Sequence, residues 1–397
     1  MIYDVVFPYW IGGAEHRYYA IASQLSEKHE ISIYGFNYWR EDPSRCLPQC
    51  RYISVGEPIP IYNSKRQRYV SEAILFALRL VRPLLESREE LWDIASTPYF
   101  SVLTARLISF IRRKPMVVTW HEYWGNSWYD YMGWKGIFGI IIEKLALFCS
   151  PKIIAVSNFT KRRLLSAGCP EKKITVIPNS ISLAKINKVL PSHDSTDLIY
   201  VGRLVPYKQV ALLIKALKIL HESNQKMTLC IIGDGPDKDD LLKLTNELSL
   251  EKHVRFLGFL PSSEEVYAWL KSSRVLVLPS KREGFGIAIL EAWACGIPVV
   301  VCSEPNSALP DLIDSDVKGR VVYSEPHAIA KGCMELLAEQ KEILKKKLSE
   351  EVAPYDLKII AAHLEKIYQH VYKNHQRITG RRPLGDVKKT MKNDSTR

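Results

Sequence analysis

The chain is paced by short, continuous apolar runs, and that pattern constrains its fold more than any other feature. In the second half the runs fall at 198–201, 228–232, 254–257, 275–278 and 298–302, with 320–323 as a further edge. The first half has them at 2–7, 31–34, 92–95, 116–120, 153–156 and 174–177, with helical patterns such as 15–28 and 160–167 between several of them. Strands that are apolar on both sides must be covered on both faces, so such runs separated by helices predict parallel α/β sheets. The polar stretch 183–197, with Pro191 and no periodicity, divides the two series. Two doubly wound domains joined by a linker follow. Beyond them Ile360, Leu364, Ile367, Tyr368 and Val371 recur on one face of a helix expected over 355–372. Residues 374–397 have few apolar side chains and read as a disordered tail.

Composition narrows the function classes. The 397 residues are 47% hydrophobic and 25% charged, an ordinary globular balance that excludes disordered and disulfide-scaffold chains. No apolar run approaches the roughly 18 residues of a membrane span. The opening residues lack a basic region and contain Asp4, so no secretory signal is expected; the eight cysteines then read as reduced thiols of a cytoplasmic protein. Cys46 and Cys50 have no second pair to complete a zinc site. The net charge of +12 is unevenly spread: residues 1–190 carry 25 Lys and Arg against 16 Asp and Glu, residues 191–372 carry 22 against 25, and the last 25 residues 8 against 2. A basic first half suits contact with something anionic, whether a phospholipid surface or a phosphorylated substrate. Nucleic acid is disfavoured, because no recognisable binding module accompanies the charge.

Four constellations could carry chemistry. Glu283 to Glu291 follows a predicted strand through Gly284 and Gly286 into a helix, and a glycine turn before a helix N-terminus makes an anion site. Its two carboxylates would repel phosphate, so they suit hydroxyl groups; a capping Glu and a solvated Glu are the plainer alternative. The loop Gly202-Arg203-Leu204-Val205-Pro206-Tyr207-Lys208 puts two cations at the C-terminal end of a parallel strand, where ligands of open α/β sheets bind. Arg203 can grip phosphate bidentately and Lys208 offers a compact charge; a solvated loop would look the same. Gly12-Gly13 lets the first loop approach a ligand, although it is not the dinucleotide pattern. His121 closes the run 116–120 and is followed by Trp124, Trp128, Tyr129, Tyr131, Trp134 and Phe138, either an aromatic platform or ordinary core. Gly233-Asp234-Gly235-Pro236 reads as a structural turn, and Asp314-Ser315-Asp316 and Asp237-Lys238-Asp239 as turn chemistry rather than metal ligands.

Together these pieces resemble the retaining, nucleotide-sugar-dependent glycosyltransferases of family 4. The matching residues are Gly12-Gly13, His121, Val156-Ser157-Asn158, Val176-Ile177-Pro178-Asn179, Gly202-Arg203-Leu204 with Lys208, Gly233-Asp234-Gly235-Pro236, Phe256-Leu257-Gly258-Phe259, and the E-x7-E pair Glu283 and Glu291. Ser180 and Ser182 depart from the family's usual Gly and Asp after Pro178-Asn179. The resemblance implies the GT-B fold: two Rossmann-like domains facing a central cleft, at 1–182 on the acceptor side and 198–354 on the donor side. Residues 183–197 would be the linker and 355–373 a helix crossing back to the first domain. It further implies that Arg203 and Lys208 neutralise the donor diphosphate, that Glu291 holds the ribose and that Glu283 holds the sugar. Phe285, Gly286 and Ile287 would contact sugar or phosphate, Gly13 would close over the diphosphate, His121 would approach the transferred sugar, and Phe259 and Leu260 would flank the base. The reaction implied is front-face transfer of a hexose from a UDP- or GDP-sugar to a glycan or lipid-linked acceptor, with no cofactor and a dispensable divalent metal. The charge and aromatics of the first half add an expectation of peripheral contact with the cytoplasmic face of a membrane, with Lys161, Arg162 and Arg163 contributing. A nucleotide-sugar epimerase and a non-catalytic nucleotide-sugar-binding protein are the competing readings.

Overall fold

The computed structural model describes residues 1–61, 68–222, 227–339 and 341–380. Contacts divide the chain into two units: Met1–Ala155, Arg163–Ile177 and Ala361 onward in one, Val156–Arg162 and Pro178–Ile360 in the other.

The first unit is built from β1 (Ile31–Gly35), β2 (Cys50–Ser54), β3 (Trp92–Ala95), β4 (Met116–Trp120), β5 (Ile153–Ala155) and β6 (Ile174–Val176). Its helices are α1 (Gly13–Leu25), α2 (Val70–Arg79), α3 (Val81–Glu86), α4 (Tyr99–Arg112), α5 (Ser127–Met132) and α6 (Gly136–Cys149), with α7 (Asn158–Ser166) shared between the two units. β1 and β2 pair in parallel, and β3, β4, β5 and β6 form a parallel sheet in that order. The strand expected over 2–7 shrinks to one residue, Ile2, which bridges β1 at Tyr34 and β3 at Ile94. Tyr3 still donates to the Tyr34 carbonyl at 3.0 Å and the Asp4 carbonyl accepts from Phe36 at 3.2 Å, but beyond Asp4 the chain turns, the Tyr9 and Trp10 N–H groups donating to the Val6 carbonyl at 3.1 and 3.0 Å. The fully buried Asp4 carboxylate pairs with Arg68. β2 has no counterpart in the sequence reading because Arg51 and Ser54 lie exposed along it, as suits an edge strand rather than a buried one.

The second unit contains α8 (Leu183–Lys188), β7 (Leu198–Val201), α9 (Val210–Glu222), β8 (Leu229–Ile232), α10 (Lys238–Glu247), β9 (Val254–Gly258), α11 (Ser263–Lys271) and β10 (Val275–Leu278). β11 (Arg282–Glu283), α12 (Ile287–Ala294), β12 (Val299–Cys302), β13 (Asn306–Ser307), β14 (Gly319–Val322), α13 (Pro326–Leu337) and α14 (Lys341–Val352) follow. Six strands form one parallel sheet in the order β14-β12-β10-β7-β8-β9. Every residue of β10 and β12 is buried, which is why these runs contain no polar position. The stretch 183–197, expected to be irregular, opens with α8. Ser182 caps it, its hydroxyl accepting the Lys185 N–H at 3.3 Å. A helix of six residues is too short to display a period.

The last helix, α15, runs Leu357–Thr379. It outlasts its apolar stripe because the residues after Tyr372 include several good helix formers, so 374–379 is helical where a disordered tail was expected. Residues 381–397 of that tail lie outside the described residues. From Ala361 on, α15 belongs to the first unit. Tyr368 reaches the buried Asp93 of β3 and donates its hydroxyl to Oδ2, while Tyr18 and Thr119 donate to Oδ1 at 3.0 and 2.8 Å. Burial raises the Asp93 carboxyl above its usual range despite these bonds. Tyr368→Phe should therefore cost about 1–2 kcal/mol in chemical denaturation, since one donor to a buried carboxyl disappears without a replacement.

Candidate active site

β7 and β10 lie side by side at the centre of the second sheet. From them the chain winds outward in opposite directions, to β8 and β9 on one side and to β12 and β14 on the other. That reversal leaves a crevice at the carboxyl ends of the strands, and the loops after β7 and β10 are the two that border it.

The loop after β7 carries both predicted cations. Arg203 is exposed and donates to the Tyr207 hydroxyl at 2.8 Å. A single 3-10 turn, Pro206–Lys208, brings Lys208 into an ion pair with Glu283 of β11. The two side chains are only 13% and 19% exposed, so both charges sit in a setting where water screens them weakly. The Tyr207 ring packs between cations, with Arg282 at 5.4 Å and Lys208 at 5.9 Å from its centroid. Glu283 is fixed from the other side as well: β11 pairs with β13, and the Ala308 N–H donates to the Glu283 carbonyl at 2.8 Å.

Gly286 then caps α12 with φ +94, and a Cβ there would lie 2.3 Å from the Leu309 Cδ2. Only glycine meets both demands. The first N–H groups of α12 have no acceptor within the helix, so its N-terminus presents positive potential beside the Lys208–Glu283 pair. Phe285 is buried against Tyr355, and Ile287 opens the helix. The Ser157 hydroxyl donates to the Gly284 carbonyl at 2.9 Å while accepting the Thr160 N–H at 3.0 Å. Glu291 is half-buried and accepts from the Tyr267 hydroxyl at 3.3 Å. Burial pushes its carboxyl up to about 7, the tyrosine bond opposing. Because the folded value lies above the unfolded one, Glu291 contributes most below about pH 4.5. That contribution is lost as pH rises to about 7. Relative to Glu291→Gln, the wild-type melting temperature should fall across that window and then level off.

Three strand-end loops brace one another. Gly202 donates to Ile232, Leu204 to Asp234, and Gly233 to Gly258 through backbone N–H groups at 2.7–3.0 Å. A Cβ on Gly235 would meet the Leu204 carbonyl oxygen at 2.1 Å. The turn read as structural is thus the support on which the Arg203 loop rests. Phe259, just beyond, is half exposed, and Leu260 is half-buried.

Gly13 and His121 belong to the first unit. Gly13 begins α1 with Gly12 as its cap. His121 follows β4, its ring 6.1 Å from that of Tyr18. Burial first and the nearby Arg17 charge second lower its pKa to about 3, so the imidazole is neutral at physiological pH. Of the aromatics flanking His121, Trp120 and Tyr123 are core. Trp124, Trp128 and Tyr131 pack on one another, leaving Tyr129, Trp134 and Phe138 exposed. Buried Glu143 organises this region by accepting the Trp124 and Gly125 N–H groups at 2.8 Å and the Tyr99 hydroxyl at 2.7 Å. The cations at 162 and 163 are also engaged, Arg162 with Asp311 at 2.7 Å and Arg163 with the Trp124 carbonyl at 3.0 Å. The sequence assigns no role to Tyr207 or Tyr267, which hold Arg203 and Glu291; a tyrosine gives no motif signal until its partner is known.

A parallel sheet with this winding and an anion-suited helix N-terminus at its switch point define a Rossmann-like unit. Two family models match side by side: "Glycosyltransferase Family 4" over residues 11–185 and "Glycosyl transferases group 1" over residues 183–353. The chain carries the two domains of a group 1 glycosyltransferase. An uncharacterized glycosyltransferase of Methanocaldococcus jannaschii is 36% identical over 50% of this chain and 54% of its own length. A phosphatidylinositol N-acetylglucosaminyltransferase component of Arabidopsis thaliana is 26% identical over 82% of this chain and 70% of its own. The amylovoran biosynthesis glycosyltransferase of Erwinia amylovora is 31% identical over 42% of each. Apart from the plant protein, the matches span only about half of these relatives. Among solved structures, sucrose-phosphate synthase of Thermosynechococcus elongatus superposes with a TM-score of 0.75 at 18% identity, covering 91% of this chain and 94% of that one. Anabaena HepE, in complex with UDP and glucose, gives 0.70 at 20%, covering 92% and 97%. The fold is GT-B.

Proposed function

We propose that the protein transfers a hexose with retention of configuration from a UDP- or GDP-sugar to a glycan or lipid-linked acceptor, at the cytoplasmic face of a membrane. The observation that carries this reading is the weakly screened Lys208–Glu283 pair beside the N-terminus of α12, with Arg203 on the same loop. In the proposed roles Arg203, Lys208 and the N–H groups at Phe285, Gly286 and Ile287 hold the diphosphate, and Glu291 takes the ribose hydroxyls. Glu283 takes sugar hydroxyls, Phe259 and Leu260 flank the base, and Gly13 approaches the diphosphate. His121, being neutral, would meet the sugar as a hydrogen-bonding ring and not as an acid. The complex of HepE with UDP and glucose supports a donor of this chemistry.

The reaction breaks the bond between the anomeric carbon and the β-phosphate oxygen and forms one to the acceptor oxygen on the same face. The acceptor's proton passes to the departing phosphate oxygen. Charge grows on that oxygen in the transition state, so preorganised cations and a helix dipole stabilise it more than the bound donor. Because those groups already supply positive potential, transfer should survive EDTA; loss restored by Mg²⁺ or Mn²⁺ would contradict this. The anomeric coupling of the product in proton NMR tests the stereochemistry: a donor α-sugar should give an α-product, and a β-product would overturn retention.

A further inference from the structure

Apart from Glu143 on its buried face and exposed Lys144, α6 is apolar on every side. Its inward face, Gly136, Gly139, Ala146 and Leu147, is buried. Its outward face carries Phe138 at 64% exposure, Ile141 at 49%, Leu145 at 48% and Phe148 at 56%. Helix rotation is fixed, because a Cβ on Gly139 would lie 2.3 Å from the Trp128 ring and one on Gly136 2.4 Å from the Trp128 carbonyl. Packed beside it, α4 turns Leu107, Phe110 and Ile111 outward at 62%, 77% and 60% exposure. A helix of a water-soluble surface places polar groups there, and monomers seldom expose contiguous apolar area of this kind. Trp134, 73% exposed, stands just ahead of α6.

Along the two helices themselves and the residues that end them, the charges are nearly all of one sign, with exposed acids at Asp130 and Glu86 only on the neighbouring α5 and α3. Residues 99–114 and 133–152 hold seven Lys or Arg and a single acidic residue, Glu143, whose carboxylate is buried and hydrogen-bonded internally. We propose that the α4–α6 face docks on an anionic lipid bilayer, its phenylalanines and leucines entering the boundary between headgroups and acyl chains and its cations resting among the headgroups. Apolar faces rimmed by Lys and Arg bind membranes in this way, and aromatic side chains settle at the headgroup level. α6, with 14 residues, is about 21 Å long, and no helix among the described residues is long and apolar enough to cross a membrane; the contact lies along the surface. Other occupants fit less well. A second copy would set the same cations against themselves, and residues 381–397, with six Lys and Arg against two Asp, would be repelled.

The inference rests on the membrane contact of the proposed function and specifies its surface, in place of the cluster at Lys161–Arg163. Flotation of the full chain with phosphatidylcholine vesicles, with and without phosphatidylglycerol, tests it. The wild type should float with phosphatidylglycerol vesicles at low salt and less at high salt. A Phe110→Ser, Phe138→Ser and Phe148→Ser variant should lose on the order of tenfold or more of that binding. Should it fold poorly, Leu107→Gln with Leu145→Gln removes one contact from each helix. If the wild type floats and a well-folded variant floats equally, the face is wrong while membrane contact stands. If the wild type remains in the soluble fraction, both fail. If it remains soluble and scatters light as a dimer that the variant dissociates, a second copy covers the face instead.

Discussion

Lys208→Ala is expected to lower kcat/KM on the order of a hundred- to a thousandfold while lowering the melting temperature by only several degrees. The catalytic loss follows from removing one preorganised charge where the leaving group departs, worth about 3–4 kcal/mol in the barrier. The structural loss is smaller because Glu283, left without its ammonium partner, still keeps some exposure to water. About 1–2 kcal/mol is the scale for such a partly exposed pair, and each kcal/mol moves a domain of this size by about 2–4 °C. Glu283→Gln separates the two effects. It leaves Lys208 an oxygen to bind, so stability should change less than in Lys208→Ala, yet transfer should fall comparably because a carboxylate partner of the sugar hydroxyls is lost. Steady-state kinetics beside thermal melts reads both quantities. Near-normal turnover in either variant would remove these two residues from the site.

Gly233→Ala should be more damaging to the fold than any substitution at the cations. Gly233 has φ +137, and a Cβ there would lie 1.8 Å from the Gly202 carbonyl oxygen. Both partners are backbone, so no side chain can swing aside. Backbone strain alone is about 1–3 kcal/mol, and the overlap forces the 202–208 and 233–237 loops apart. A loss of about 3 kcal/mol or more is expected in denaturant unfolding, together with loss of nucleotide-sugar binding. Gly12→Ala is the contrast. Its φ of −160 is extended backbone, and the nearest atom to a Cβ is the carboxylate end of Glu15, at the far end of a flexible side chain. That variant should cost under about 1 kcal/mol, chiefly through poorer capping of α1. Equal effects of the two substitutions would mean that the loops do not brace each other.

The second unit was readable because its strands are buried on both faces and therefore written in unbroken apolar letters, as in Val275–Leu278. Where polar atoms intrude, legibility ends. Ile2 alone bridges from the strand expected over 2–7 because after Asp4 the chain turns back on the Val6 carbonyl instead of running on beside β1. β2 hides because its exposed Arg51 and Ser54 interrupt the pattern. The ionic members of the candidate site stand out in sequence by strand-end position and charge. The roles of Tyr207, Tyr267 and Tyr368 could not be read, since what makes them matter is a partner between 4 and 275 residues distant in sequence. Likewise the outward face of α6 is indistinguishable in sequence from core. Only the packing of Gly136 and Gly139 on Trp128 shows which residues point away from the protein.

Calorimetric titration of the intact protein with a panel of UDP- and GDP-sugars tests the central claim most directly, which is that the ends of β7 and β10 form a site for a nucleotide-diphosphate sugar. One of the panel should bind with one site per chain and, at about a hundred times its Kd, stabilise the fold by about 2.7 kcal/mol in a parallel melt. Lys208→Ala should abolish most of both signals, and Phe138→Ser should change neither. Absence of binding by every member of the panel, or binding undiminished in Lys208→Ala, would contradict the claim.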